Sequence, residues 1–361
     1  MILPVTTSPA KHSREPFLFE VSSWSRLITT GLWLLLLSVP VLAQPLDLKN
    51  HVHQQWTQLS NEPFPAIFGL AQDTKQTIWL ATFAGLIKFD GVDFLPVFTD
   101  QQNNFHRGHI SAVVVMPNDD IYFIPVNKGL GRISGPKLEH FNQQNGLLCD
   151  RIDKITVDKQ GQLWYACAKG IVRFGPNPIV HRFKHNNLHI TALMVISETE
   201  FLYGTNLGQL YHVDGDQQTQ WDDLPQANVL TLFQLGENHW LFSIREHGIF
   251  SLSNGKISRP KQYLPLAGAN VEKILSDSSG ALWMATTLGV VRFIGEQMQI
   301  MTFDEQSARQ QKVQSRIFSL LLDADKALWA GFYAKGLHRL TPPKVNVIPQ
   351  MSVRTVVEYD E

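Results

Sequence analysis

Three histidines, His181, His185 and His189, stand four residues apart, the spacing at which two ligands to one metal share a helix face. The residues around them alternate as strands do. The three should therefore fall on a strand, a loop and the next strand, without a common face, and no metal site is expected. Asp214-Gly-Asp216 opens like a calcium loop but lacks the remaining oxygen ligands and the closing Glu, so a turn is the simpler reading. Gly129-Leu-Gly131 with Gly135 imitates a dinucleotide fingerprint with one residue too many, on strand-like sequence where a strand-to-helix turn is needed. No Gly-x-Ser-x-Gly elbow, phosphate loop or His-Glu-x-x-His occurs. No catalytic residues are assigned, and nothing calls for a cofactor. An enzyme on this chain would need a His or paired carboxylates converging at the channel, with His109 and His189, each with an Asp or Glu beside it, as its candidates. Cys149 and Cys167 are the two cysteines. In an oxidising compartment they could be bridged, or they could be two buried thiols. With no Cys-x-x-Cys pair, a cysteine zinc site is not expected.

What would position any of these groups is a repeat. DTKQTIWLATFAGLIKF from 73 returns as DSSGALWMATTLGVVRF from 277. The marker Trp of that stretch recurs as Trp79, Trp164, Trp240, Trp283 and Trp329, with Tyr122 and Leu202 in the same place of two weaker copies, at spacings of 43, 42, 38, 38, 43 and 46. A period near 40 with strand-like content is that of one propeller blade. Each copy opens on an apolar strand (AIFGLAQD from 66, RIDKITVD from 151, NVEKILSD from 270, RIFSLLLD from 316). A turn begun by Asp follows at Asp73, Asp158, Asp277 and Asp323. There the side chain can bond backbone two residues on, and Gly161 or Gly280 can take positive φ. The marker strand comes next, then a Gly turn, a third strand and a ragged fourth strand ending on Phe98, Phe141, Phe183, Trp221 or Phe303. A sheet this small cannot bury both faces alone, and stacking around an axis hides each against the next. The seven marker residues are read as blade core, with the small Ala or Gly two places on letting neighbours interlock.

The expected fold is all-β: a seven-bladed propeller of four-stranded antiparallel blades over residues 44–341, preceded by a signal peptide at 1–43. Residues 27–43 carry no charge, follow Arg26 and end in Val-Leu-Ala, which is the anatomy of a cleaved leader. The strand HQQWTQLS from 53 resembles a fourth strand and could close the ring through the last blade. Residues 344–350 compete for the same place, and 352–361 read as the start of an eighth copy cut short. Residues 342–361 are thus an outer strand plus a fragment, and the chain reads as the front of something longer.

The pattern D-x-x-G-x-L-W-x-x-T-x-x-G-[LV]-x-x-F resembles the two-component regulator propeller repeat over about 54–340. The resemblance is clearest in DSSGALWMATTLGVVRF, DKQGQLWYACAKGIVRF and the 54–98 module, while copies two, four and five are degenerate. It implies the periplasmic sensor half of a membrane receptor. Such halves are followed by more repeats, a small β-sandwich, a membrane helix and a histidine kinase or diguanylate cyclase output. It also allows a receptor dimer in the full-length protein, and a membrane anchor only through a C-terminal helix outside this chain.

The chain of 361 residues is 44 % hydrophobic and 17 % charged, with net charge −1. It is therefore globular and lacks the basic footprint of a nucleic-acid binder. What remains is a binding surface. The residue opening each first strand is polar in six copies: His109, Arg151, His189, Asn228, Asn270 and Arg316. These six would ring the channel mouth, either as a ligand-facing collar or by capping strands and bonding loop carbonyls. The turn after the second strand varies (Phe83, Asn127, Asn206, Arg245, Tyr333), as a binding rim would. The leading expectation is a non-catalytic module sensing a small periplasmic solute, with saccharides first. A propeller lyase or glycan-processing enzyme and a protein-interaction scaffold are the alternatives.

Overall fold

The computed structural model describes residues 51–97, 108–183, 188–221, 223–301, 303 and 316–342, all within one compact unit, Leu46–Glu361. The leader, Phe98, His185 and the strands expected beyond 342 lie outside the described residues.

Seven four-stranded antiparallel sheets form the seven expected blades. Each first strand packs against the first strand of the next blade, and the seventh packs against the first, so the ring is closed. Burial follows position in the blade. The second strands Ile78–Thr82, Ile121–Pro125, Leu163–Cys167, Leu282–Thr286 and Leu328–Phe332 are buried at every residue. A strand covered on both faces has no polar side to show, and this is why they read as unbroken apolar runs. The outermost strands, such as Gln217–Trp221, are mostly exposed. All seven marker residues are buried, from Trp164 and Leu202 at 0 % exposure to Trp79 at 9 %. A small residue two places on matters where blades meet closely. A Cβ on Gly204 would lie 2.4 Å from the Val229 side chain, and one on Gly331 would lie 2.6 Å from Ile67.

The Asp of each turn does more than start it. Asp158 Oδ1 accepts from the N–H groups of Gln160 and Gln162 (2.9 and 2.8 Å), and its Oδ2 accepts from Trp164 Nε1–H at 2.7 Å. Asp73 binds Trp79 in the same way at 2.9 Å, Asp277 binds Trp283 at 2.8 Å and Asp323 binds Trp329 at 2.8 Å. One carboxylate thus ties the turn to the core aromatic six residues on. In two blades an Arg of the third strand completes the clamp. Arg292 lies over the Trp283 ring (4.8 Å) and 3.3 Å from Asp277, and Arg339 lies over Trp329 (5.0 Å) and 3.4 Å from Asp323. Burial favours a neutral Asp277, but the bonds from Ser279 and Trp283 outweigh it and hold its carboxyl below the usual range. Blade five lacks the Asp turn, and there Trp240 Nε1 is buried without a partner among the described residues.

The N-terminal strand Val52–Trp56 pairs with Leu337–Thr341 as the outer strand of blade seven. Trp56 stacks on Trp329, with ring centroids 5.6 Å apart. Gly336 turns beneath it at φ +74°, where a Cβ would sit 2.0 Å from the Trp56 carbonyl oxygen. His53 and His338 meet across this seam at 2.8 Å. His338 Nε2 lies 3.0 Å from the Lys335 carbonyl, which can only accept. The proton therefore sits on Nε2, and Nδ1 accepts from His53. Cys149 and Cys167 form a disulfide between the entry to blade three and its second strand.

Candidate functional site

The site is built by a bulge repeated around the ring. In six of the blades the register of the first strand slips between its second and fourth residues, as at Ile67/Gly69, Val271/Lys273 and Ile317/Ser319. A bulge re-aims a side chain that would otherwise alternate into the sheet. Here it turns two successive residues of each of these six blades toward the axis. The bulged positions, Phe68, Ser111, Thr191, Leu230, Glu272 and Phe318, together with Asp153 of blade three, line a cavity of about 370 Å³ at the mouth. The next residues inward, Gly69, Ala112, Lys154, Ala192, Thr231, Lys273 and Ser319, line a channel cavity of about 230 Å³. The two cavities share Phe68, Ser111, Lys154, Thr191, Leu230, Glu272 and Phe318, so they are continuous.

Of the expected collar, Arg151, His189, Asn228 and Arg316 line the mouth. Arg151 lies 3.5 Å and His189 3.8 Å from Asp153. Burial raises the Asp153 carboxyl above its ordinary range, against the Ile190 N–H, Arg151 and His189, which pull it down. Arg316 binds Glu272 through Nε at 2.8 Å and again through its terminal nitrogen, and it covers the Phe318 ring at 4.7 Å. The other two take different places. Asn270 is 9 % exposed and accepts from the Glu246 N–H at 2.7 Å, the capping role. His109 is packed on Phe68 (4.4 Å) and Phe83 (5.6 Å), and burial lowers its pKa.

A backbone bond fastens the variable turn to the collar. Phe83, Val126, Asn206, Arg245, Thr287 and Tyr333 each donate N–H to the carbonyl just before the first strand of their own blade. In blade two the residue in this place is Val126, where Asn127 was expected. Aromatic groups gather on the side formed by blades seven and one. Phe68 and Phe318 are 5.3 Å apart, Tyr333 is 6.0 Å from Phe318, and Phe83 is 63 % exposed.

Basic groups gather on the other side. Arg245 lines the mouth, and among the described residues its side chain has no hydrogen-bond or ion-pair partner. Its Nε is buried. Lys154 and Lys273 occupy the same place in RIDK and NVEK, the signal that could have disclosed them. Lys273 is exposed to the channel, yet protein surrounds it. That enclosure, then the nearby Lys154, depresses its pKa. Enclosure depresses Lys154 as well, opposed by Glu272 and Asp153. Of the three spaced histidines, His181 stacks on Trp164 in an outer strand and bonds the Glu198 carbonyl, away from His189. No group of three metal-ligating side chains exists among the described residues, and no helix there is long and apolar enough to cross a membrane.

Fold and site define a seven-bladed β-propeller with a bulge-lined mouth opening into its channel. No protein-family model matches the chain, and no curated protein matches it by sequence. Solved structures do. One is attributed to the extracellular domain of the hybrid two component system BT3049 from B. thetaiotaomicron, at TM-score 0.67 and 15 % identity, covering 84 % of this chain and 44 % of that one. Another is attributed to the extracellular domain of BT4673, also a hybrid two component system of that organism, at TM-score 0.60 and 16 % identity, covering 80 % and 39 %. A third is a catalytically inactive virginiamycin B lyase from Staphylococcus aureus with quinupristin, at TM-score 0.61 and 11 % identity, covering 81 % and 99 %. At these identities the likeness is one of fold. This chain spans less than half the length of the first two.

Proposed function

We propose that this propeller is the solute-sensing module of an exported signalling receptor, binding a small periplasmic molecule at the bulge-lined mouth. The observation that carries the reading is the mouth itself. It is a concave cavity with an aromatic side, a polar collar and varied turns, held on a rigid ring. The likeness to two extracellular domains of two-component systems supports it, as does the recurrence of DSSGALWMATTLGVVRF-type repeats.

The likeness to a lyase favours an enzyme as the second reading. Its candidates His109 and His189 are engaged separately, one by phenyl rings and the other beside Asp153. His189 with a carboxylate beside it is the arrangement this second reading would use, whereas His109 has no such partner among the described residues. The test is calorimetric titration of the purified chain against a panel of neutral and acidic mono- and oligosaccharides. Saturable binding without turnover is expected. Hydrolysis or elimination of any panel member would replace the sensor with an enzyme, and an inert panel would count against solute sensing.

A further inference from the structure

The mouth and upper channel hold a charge surplus that the protein does not neutralise. Five basic side chains, Arg151, Lys154, Arg245, Lys273 and Arg316, face two carboxylates, Asp153 and Glu272, in a chain whose net charge is −1. The two carboxylates lie beside Arg151 and Arg316. Arg245, Lys154 and Lys273 have no ion pair among the described residues. An enclosed, low-dielectric channel magnifies such an imbalance, and burying an unpartnered guanidinium nitrogen is costly unless a ligand supplies the acceptor. Opposite stands the aromatic side, where Phe68 and Phe318 meet at the rim with Tyr333 beside them. Hydroxyls of Thr191 and Thr231, from blades four and five, line the channel on the basic side.

We propose that the mouth takes a small organic oxyanion with a ring face, as an acidic monosaccharide has: the ring against Phe68 and Phe318, the oxyanion toward Arg245, Lys154 and Lys273. This rests on the solute-sensing reading and names the class of solute.

The full chain at low ionic strength is titrated with D-glucuronate, D-glucose and inorganic sulfate, alongside Arg245→Ala and the double variant Lys154→Met/Lys273→Met. Glucuronate is expected to bind saturably, and glucose, the same ring without the charge, at least tenfold more weakly. Each variant should lose at least tenfold in glucuronate affinity. Its ligand-free melting temperature should stay at or above the parent's, because a repelling charge has been removed. Equal binding of glucuronate and glucose, or of parent and variants, overturns the inference and leaves the sensor standing. Sulfate binding as tightly as glucuronate overturns the ring contact. Failure of glucuronate and sulfate alike overturns the inference whatever else binds. A neutral sugar binding in the wider panel would then keep the sensor, and an inert panel would remove both.

Discussion

Trp164 and Trp240 occupy the same place in two blades and differ in one hydrogen bond. The first donates to Asp158, and the second has no acceptor among the described residues. Trp→Phe removes the same volume at both positions. At 164 it also strands a buried carboxylate oxygen. Trp164→Phe should therefore destabilise by about 2 kcal/mol more than Trp240→Phe, read from urea unfolding of the two variants. Equal losses would mean the carboxylate contributes only to its turn. The sequence shows Asp and Trp six residues apart in four copies, and the turn is legible from it because Asp bonds backbone locally. The side-chain bond is less legible, since a one-dimensional pattern reports co-occurrence and not which oxygen faces which nitrogen. The collar shows the same limit. Asn270 and His109 share its pattern, but one caps a loop and the other packs on rings. Lys273 went unread because strand alternation assigns its place to the sheet, and only a bulge turns it to the channel; Lys154 opens the shorter first strand of blade three, where no bulge marks the place.

The closing strand and its seam are built around a neutral imidazole. Burial, then the Lys335 carbonyl acting the other way, then His53 and Lys335 charges, bring His338 to a pKa of about 4. Its Nδ1 accepts a hydrogen bond from His53 Nε2–H, so protonation there sets two donors against each other. A pKa below the unfolded value gives stability that is whole above about pH 6.5 and is lost as pH falls through about 4. The loss is on the order of 3 kcal/mol. Thermal melts between pH 7 and 4 should show it, and His338→Gln should flatten the curve. Gly336→Ala should open the same seam at any pH, because its Cβ would meet the Trp56 carbonyl at 2.0 Å and its φ suits glycine. Amide exchange at 52–56 should rise toward solvent rates while blades two to six keep their protection. In blade three, reducing Cys149–Cys167 should cost about 3 kcal/mol, the entropy of releasing a loop of 18-residue separation. A melt with and without reductant, compared with the Cys149→Ser/Cys167→Ser variant, measures it.

Across the whole ring, the number of blades and their strand order were legible because a large apolar residue, aromatic in six copies and Leu202 in the fourth, recurs about every 40 residues despite drift in the rest of the copy. The path of closure was less so. HQQWTQLS and the 344–350 stretch both read as outer strands, and pattern alone does not choose between pairings distant in sequence. The structure joins Val52–Trp56 to Leu337–Thr341, bringing together residues 285 apart, as His53 and His338 are. That join has a kinetic consequence. The first strand of the ring to be synthesised is the last to find its partner, because its docking edge does not exist until the seventh blade has formed. Each blade can collapse locally, but the circle must wait for the most distant pairing in the chain, and such pairings are slow. Transplanting the 52–56 strand through a short turn to follow Thr341 should therefore speed refolding in stopped-flow fluorescence. An unchanged rate would place the slow event inside a blade, leaving the clasp as a lock that shuts at leisure on a circle already drawn.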